Sequence, residues 1–172
     1  IQKVQTRGVI AIKKGLQALA DIIVNQTTKN PISKEAQPFI CKEKGIPTVE
    51  IAISGAKDII AERISDNAEY RSNIREFSIE NGSLKTSAVD PNAESEYELY
   101  YQYDSPIQKL PGYRILAINR GEKEKRLIVS IENPVSEIIG YLESKVITKN
   151  NPNTTNLLKE AIQVMIELLR LQ

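Results

Sequence analysis

The sequence predicts a mainly α protein with a small β element: a helical scaffold of antiparallel helix pairs plus a short sheet of two or three strands. Two observations support this fold class. Apolar residues recur at three- and four-residue steps through most of the chain, which is the spacing of one helix face. Two short segments, 83–89 and 126–132, instead alternate apolar and polar residues, as a half-buried strand does. The 172 residues are enough for one domain, or one and a half.

The first part of the chain, 1–82, is predicted to be helical. A long helix over 6–26 is indicated by one apolar stripe, and Gly15 inside it suggests close packing against a neighbour. The stripe consists of Val9, Ile12, Leu16, Leu19 and Ile23. A short helix near 33–40 follows.

Two further helices are predicted before position 82. Thr48 is a good N-cap for the first, and Asp66 with Glu69 three residues later is typical of a capping box at the start of the second. Asn81-Gly82 is a typical helix end. We expect the two helices to pack as an antiparallel pair. The apolar positions that the second would bury are Tyr70, Ile74 and Phe77.

The middle, 83–133, is predicted to be a small α/β insert. Strands near 83–89 and 126–132 are expected to pair with each other. The tyrosine-rich segment 97–103 fits either a helix or a strand. Pro111 suits the first turn of a helix that reaches about Glu122.

Two helices are predicted in the last part, 134–172. The final helix opens at Asn153 or Thr154, and its apolar face is too wide for a surface helix of a small domain. Two explanations remain open: the helix lies deep in the core, or it packs against protein beyond this sequence. Its apolar positions are Leu157, Leu158, Ala161, Ile162, Met165, Ile166, Leu168, Leu169 and Leu171.

Composition argues against several function classes. With 23 Lys and Arg against 22 Asp and Glu, the net charge of +1 is not that of a strongly basic nucleic-acid module. The absence of His removes Ser-His and Cys-His catalysis and the commonest transition-metal ligand. The single cysteine, Cys41, excludes an internal disulfide and is expected to be a small buried apolar residue. No apolar run approaches the roughly 20 residues of a membrane span, and no secretory signal is visible. With Ile at its start, the chain is expected to be a piece of an intracellular protein.

Acidic residues are the candidates for metal binding or catalysis. Asp58 and Glu62 lie one helical turn apart and could share a divalent ion, but Lys57 and Arg63 flank them, which favours an ordinary solvated helix face. Three alternating carboxylates could also hold an ion, although the glycine of an EF-hand loop is missing and a solvated acidic loop is favoured. These are Glu94, Glu96 and Glu98. No phosphate-binding glycine loop occurs. We therefore expect neither a cofactor nor enzymatic activity.

Two features could contact nucleic acid. Tyrosines can stack on unpaired bases, but five of the seven here lie among acidic residues, which favours core or interface packing. They are Tyr97, Tyr100, Tyr101, Tyr103 and Tyr113. Five cations could meet a phosphate backbone, although Glu122 and Glu124 dilute them and a surface helix with paired charges is favoured. They are Arg114, Arg120, Lys123, Lys125 and Arg126.

Two longer stretches carry a family resemblance. The helix pair SGAKDIIAERISDNAEYR, 54–71, resembles that of the bacterial transcription accessory family Tex. The stretch YYQYDSPIQKLPGYRILAINRGEKE, 100–124, resembles the tyrosine-rich segment, proline turn and Arg-Gly-Glu helix end of the same family. Weaker similarity covers 13–23 and 39–46. At Gly112-Tyr113 the family usually has Ser-His, so any role that depends on that His is lost here.

The resemblance implies a fragment of the N-terminal and central helical part of a Tex-like transcription accessory protein, which is cytoplasmic and binds RNA or DNA. The fragment would be a scaffold that positions an RNA-binding domain and an RNase-H-like domain, with 134–172 leading into the latter. Arg114, Arg120 and Lys123 would add weak contacts to the nucleic-acid backbone if all three are exposed on one face.

Two other functions remain open. The chain could be a protein-interaction module that docks RNA polymerase or another transcription factor through the tyrosine segment and the final helix. An enzyme is third, since it would require a cleft that joins Asp58 and Glu62 to the carboxylates of 94–98.

Overall fold

The computed structural model describes residues 5–170, and within them the chain is mainly helical with one three-stranded antiparallel sheet, as predicted. The helices are α1 (Arg7–Lys13), α2 (Gln17–Asn25), α3 (Ile32–Ala36), α4 (Val49–Asp66), α5 (Ala68–Asn81), α6 (Gly112–Lys123), α7 (Val135–Val146) and α8 (Thr155–Arg170). The strands are β1 (Ser83–Ala88), β2 (Gln102–Pro106) and β3 (Leu127–Glu132).

The described residues form two compact units. The first unit contains the chain up to Arg71 together with the part from Ser136 onward, so α1 to α4 pack with α7 and α8. The second unit, Ser72–Val135, contains most of α5, the sheet and α6. The division of this chain into the segments 1–82, 83–133 and 134–172 stays a prediction.

The core of the first unit is built around α4, which begins at the predicted N-cap: the Thr48 hydroxyl accepts from the amide of Ile51 at 3.2 Å. α4 packs most extensively against α8 and α1. The expected antiparallel packing of α4 with α5 stays a prediction. It buries six side chains, three of them alanines, which let the neighbouring backbones come close. The six are Ala52, Ala56, Ile59, Ile60, Ala61 and Ile64.

The final helix lies deep in this core, which decides between the two explanations of its wide apolar face. Five of its side chains are fully or almost fully buried: Leu158, Ala161, Ile162, Met165 and Ile166. Leu157, Leu168 and Leu169 are half-buried along its margins. Leu171, also assigned to this face, lies outside the described residues.

The single helix predicted over 6–26 is wrong, because the chain breaks at Gly15. Gly15 has φ +84°, in the left-handed region, and a Cβ there would have no neighbour within 4 Å, so close packing does not explain the glycine. The break turns α1 relative to α2. Val9 and Ile12 are therefore exposed, and Gly8 and Ala11 face the core instead. Of the other predicted positions, Leu16 immediately before α2 and Leu19 and Ile23 within it are buried.

The helix cap at the start of α5 also differs from the prediction. Asp66 is the last residue of α4, and Asn67 is the cap, its side-chain oxygen accepting from the amide of Tyr70 at 3.0 Å. An Asn side chain does this as well as Asp, and the shift by one residue removes the capping box with Glu69. α5 ends at Asn81 as predicted. Its apolar side chains are only half-buried: Tyr70, Ile74 and Phe77.

Gln26 connects two distant parts of the first unit. It adopts the left-handed conformation at the end of α2, with φ 58°, and is 5% exposed. Its Nε2 donates to the carbonyl of Val146 at 3.0 Å, and its Oε1 accepts from the amides of Thr148 and Lys149 at 3.1 and 3.2 Å. These bonds satisfy the backbone polar groups at the end of α7.

Cys41 was predicted to be buried, but it is only half-buried. Its backbone forms a small β-bridge with Ile46.

The sheet of the second unit has the order β2-β1-β3, and the predicted pairing of the strands at 83 and 127 is confirmed. Thr86 of β1 lies opposite Tyr103 on one side and Val129 on the other. Its hydroxyl donates to the carbonyl of Tyr100 at 2.6 Å. The ambiguous segment 97–103 contains both structures: a 3-10 turn, Glu98–Tyr100, followed by the start of β2.

Candidate nucleic-acid interface

The tyrosine cluster is mostly a core, as expected. Tyr97 and Tyr100 are 4% and 7% exposed and pack with Ile118 of α6 and Leu127 of β3. Tyr101 and Tyr103 pack against this cluster and are half-buried. The rings of Tyr100 and Tyr103 meet edge to face, with centroids 5.3 Å apart. These four tyrosines are therefore structural.

Tyr113 is the exception. It is the second residue of α6, and it is 67% exposed. An exposed aromatic ring forgoes the stabilisation that its four neighbours gain by burial. Of the five clustered tyrosines, this is the one whose ring is largely exposed to solvent.

Arg114 is half-buried, and its guanidinium lies between two of these rings. Its guanidinium carbon lies 5.5 Å from the ring centroid of Tyr103 and 5.7 Å from that of Tyr113, within the range of a cation–π contact. Its Nη1 donates to the Tyr103 hydroxyl and its Nε to the Tyr113 hydroxyl, both at 3.4 Å. The hydrogen bond to Tyr113 and the field of Tyr103 raise the pKa of Arg114 above its already high value. Arg114 therefore holds the Tyr113 ring against the second unit.

The structure does not bring the three predicted contact residues together on one face of α6. Successive helical residues are rotated by about 100°, so Lys123 lies about 180° around the axis from Arg114, and Arg120 about 120° from it. Arg120 and Lys123 lie only about 60° apart and are both exposed, whereas Arg114 is half-buried. Their contact with nucleic acid stays a prediction, and within it Arg120 and Lys123 are the two that share an exposed face.

One exposed row of α6 is here named the α6 stripe and consists of Tyr113, Leu116, Arg120 and Lys123. These residues follow at steps of three, four and three, which keeps them on one helix face. Leu116 is 70% exposed. The sequence analysis missed Leu116, although its spacing from Tyr113 and Lys123 could have identified it. The stripe joins an aromatic ring, an aliphatic side chain and two cations on an open surface.

Two acidic residues, Glu122 and Glu124, lie near these cations and are exposed. Glu122 lies about 100° around α6 from Lys123 and farther still from Arg120. Glu124 accepts a hydrogen bond from the Tyr97 hydroxyl at 2.9 Å. Burial, together with this carboxylate, raises the pKa of Tyr97 to about 12. In the described residues neither carboxylate forms an ion pair with Arg120 or Lys123.

The candidate carboxylates for metal binding do not form a site in the described residues. No group of three or more Asp, Glu or Cys side chains comes together within residues 5–170. The carboxylates of the loop before Tyr97 are all exposed, as predicted: Glu94, Glu96 and Glu98. Asp58 differs from the prediction of a solvated face. Its side chain is 16% exposed, 3.9 Å from Arg7 of α1, and burial raises its pKa.

The residues that flank Asp58 contact neighbouring helices of the first unit. Lys57 pairs with Glu160 of α8 at 3.1 Å, and Arg63 with Asp21 of α2 at 2.8 Å, so both cations link helices of the first unit. The Glu62 carboxylate lies where a Cβ on Gly8 would stand. The face that carries Asp58 and Glu62 is thus a helix contact.

Comparison with known proteins identifies the family. Residues 26–167 match the family model described as Tex central region-like. The chain belongs to the Tex family. The resemblance noted at 54–71 and 100–124 is therefore confirmed, and both stretches lie inside the matched range.

Relatives of known sequence agree with membership in the Tex family. Uncharacterized protein YdcI of Bacillus subtilis is 40% identical over 165 residues, which cover 94% of this chain and 23% of that protein. Protein tex of Bordetella pertussis is 33% identical over 71% of the chain and 16% of its own length. Transcriptional accessory protein Tex of Neisseria gonorrhoeae is 28% identical over 76% of the chain and 17% of its own length. The chain thus spans less than a quarter of each of these relatives.

No helix in the described range is long and apolar enough to cross a membrane.

Proposed function

We propose that this chain is the scaffold segment of a Tex-like transcription accessory protein that binds RNA or DNA in the cytoplasm. It holds an RNA-binding domain and an RNase-H-like domain in place, and these lie in the remainder of the protein. The observation that supports this proposal is the match of 26–167 to the Tex central region, together with a relative named transcriptional accessory protein Tex.

The packing of the first unit suits a scaffold. Its two sequence segments, before Arg71 and after Ser136, are held together by buried apolar side chains of α4 and α8, by the ion pair of Lys57 with Glu160, and by the hydrogen bonds of Gln26. Because segments distant in sequence share one core, movement of either would cost burial of the other. Such a unit can pass a fixed geometry to the domains attached to it.

We also propose that the chain has no catalytic role of its own. The carboxylates that such a role would need are occupied or scattered: Asp58 faces Arg7, and the glutamates of 94–98 point into solvent.

Docking of RNA polymerase or another transcription factor remains the second candidate. Its original basis is weaker in the structure, because Tyr97 and Tyr100 and the apolar face of α8 are buried. The exposed Leu116 of the α6 stripe is the feature that still supports it.

The test uses the intact protein that contains this chain, titrated with labelled RNA and DNA at moderate salt. We expect binding, and we expect Ile162→Ala to weaken it, since Ile162 is fully buried in the first unit and its loss loosens the scaffold. Ile51→Ala is the matched control, because Ile51 is 42% exposed. An intact protein with no affinity for RNA or DNA would contradict the proposal.

A further inference from the structure

We propose that Tyr113 is a stacking platform for an unpaired base of a single-stranded nucleic acid, and that Arg120 and Lys123 contact the phosphates of the same strand. This inference rests on the proposed function, and it places a nucleic-acid site inside the chain itself, on the α6 stripe.

The Tyr113 ring is both accessible and ordered. It is 67% exposed, and two contacts with Arg114 hold it: the hydrogen bond from Nε and the guanidinium against the ring. Arg114 is in turn fixed by Tyr103, whose ring packs on Tyr100 in the core of the second unit. A ring ordered in advance loses little conformational entropy when a base stacks on it.

The two cations lie where a strand leaving that base would pass. Arg120 is seven residues after Tyr113, hence about 10.5 Å along α6 and rotated by only about 20°. Lys123 lies one turn farther on the same side. In the described part of the chain neither side chain takes part in an ion pair, and the nearby Glu124 is bonded to Tyr97. Both charges are thus available to displace counterions from phosphates.

An aromatic ring in line with two uncompensated cations favours single-stranded nucleic acid over an acidic peptide. Stacking accepts any base, because every base has a π face, and the cations follow the backbone. An acidic peptide would instead gain most from Leu116, the most exposed apolar side chain of the stripe. Substitutions at Tyr113 and Leu116 therefore separate the two occupants.

The experiment is fluorescence anisotropy of a short labelled single-stranded RNA, titrated with this chain at several salt concentrations. We expect Tyr113→Ala to weaken binding about 10-fold without changing the salt dependence, because stacking involves no counterions. Tyr113→Phe keeps the ring and should bind nearly as the parent chain does. Arg120→Ala and Lys123→Ala should each reduce the slope of log K against log salt by about 0.7. Lys109→Ala removes an exposed cation of the same unit outside the stripe and is the matched control.

A second probe isolates the stacking contribution. An abasic strand of equal length keeps the phosphates but has no base to stack. The parent chain should therefore bind the abasic strand about as weakly as Tyr113→Ala binds the RNA. Tyr113→Ala itself should bind the RNA and the abasic strand with equal affinity. Circular dichroism of every variant confirms folding.

Three results would overturn the inference: no salt-sensitive RNA binding by the folded chain, equal loss on both strands with Tyr113→Ala, or a loss with Leu116→Ala while Tyr113→Ala binds normally. The last result would indicate a protein partner. If the intact protein still binds RNA in these cases, the proposed function stands and only the site on α6 fails.

Discussion

Single side chains in this structure have roles that depend on which neighbours the fold gives them. Arg114 and Arg120 are six residues apart on one helix, yet the first is a half-buried cation between two tyrosines and the second is exposed. Asp58 likewise differs from its surface neighbours, because α1 covers it and Arg7 is 3.9 Å away. The two arginines carry the same functional group, but their different burial gives that group different partners. The same holds for Asp58 compared with the exposed acidic residues near it.

Asp58 supplies a prediction about pH. Burial raises its pKa in the folded state above the ordinary value of 3.8, so just above that pH the folded chain binds more protons at this site than the unfolded chain does. The contribution of Asp58 to the free energy of unfolding therefore falls as pH rises through the folded-state pKa. Asp58→Asn removes this term. We expect the stability of the parent chain, relative to the variant, to decrease from acid to neutral pH.

Urea unfolding at a series of pH values measures this difference. Asp66→Asn, at the exposed end of the same helix, controls for the substitution itself. A stability difference between parent and Asp58→Asn that does not change with pH, or that grows toward neutral pH, would show that Arg7 outweighs burial.

At the scale of elements, periodicity located the helices and strands but not their interruptions. The stripe over 6–26 satisfies helical spacing throughout, and only the left-handed conformation of Gly15 divides it into α1 and α2. The cap at Asn67 displaced the predicted one at Asp66, since both side chains can accept the same amide hydrogen bond. In both places the local sequence permits two solutions, and packing of the neighbouring helix selects one.

A pair of glycines tests the conformational reason for the break. Neither Gly15 nor Gly140 would bring a Cβ within 4 Å of another atom, but Gly15 has φ +84° and Gly140 lies inside α7. We expect Gly15→Ala to destabilise the chain by about 1 kcal/mol, because an L side chain is strained in the left-handed region. Gly140→Ala should stabilise it by about 0.5–1 kcal/mol. Thermal or urea unfolding measures both, and a stabilising Gly15→Ala would show that α1 and α2 can join.

At the scale of the whole molecule, the first unit combines the segment up to Arg71 with the segment from Ser136 onward. Within it, α8 packs against α4. Five side chains of the wide apolar face of α8 are buried within this unit. The sequence left open whether that face is buried within the chain itself, and the structure buries five of its side chains there. Continuation of the chain toward an RNase-H-like domain remains a proposal that rests on family membership.

Met165 provides the test of this packing. Its side chain is fully buried. We expect Met165→Ala to lower the free energy of unfolding by about 2–4 kcal/mol through the cavity it leaves. Met165→Leu conserves most of the volume and should cost less than about 1.5 kcal/mol. Unfolding of the isolated chain in urea measures both, and a near-neutral Met165→Ala would show that the face of α8 is not covered within this chain.

The sequence by itself determined the fold class, the approximate positions of nearly all helices and strands, the pairing of β1 with β3 and membership in the Tex family. These follow from spacing and local chemistry, which reside in short stretches of chain. The tertiary structure alone decided that α8 is buried, that Tyr113 stays exposed while its four neighbours form a core, and that Arg114 turns away from Arg120 and Lys123. Spacing reveals which residues share a face. Whether that face is buried depends on segments distant in sequence, which come together only in the tertiary structure.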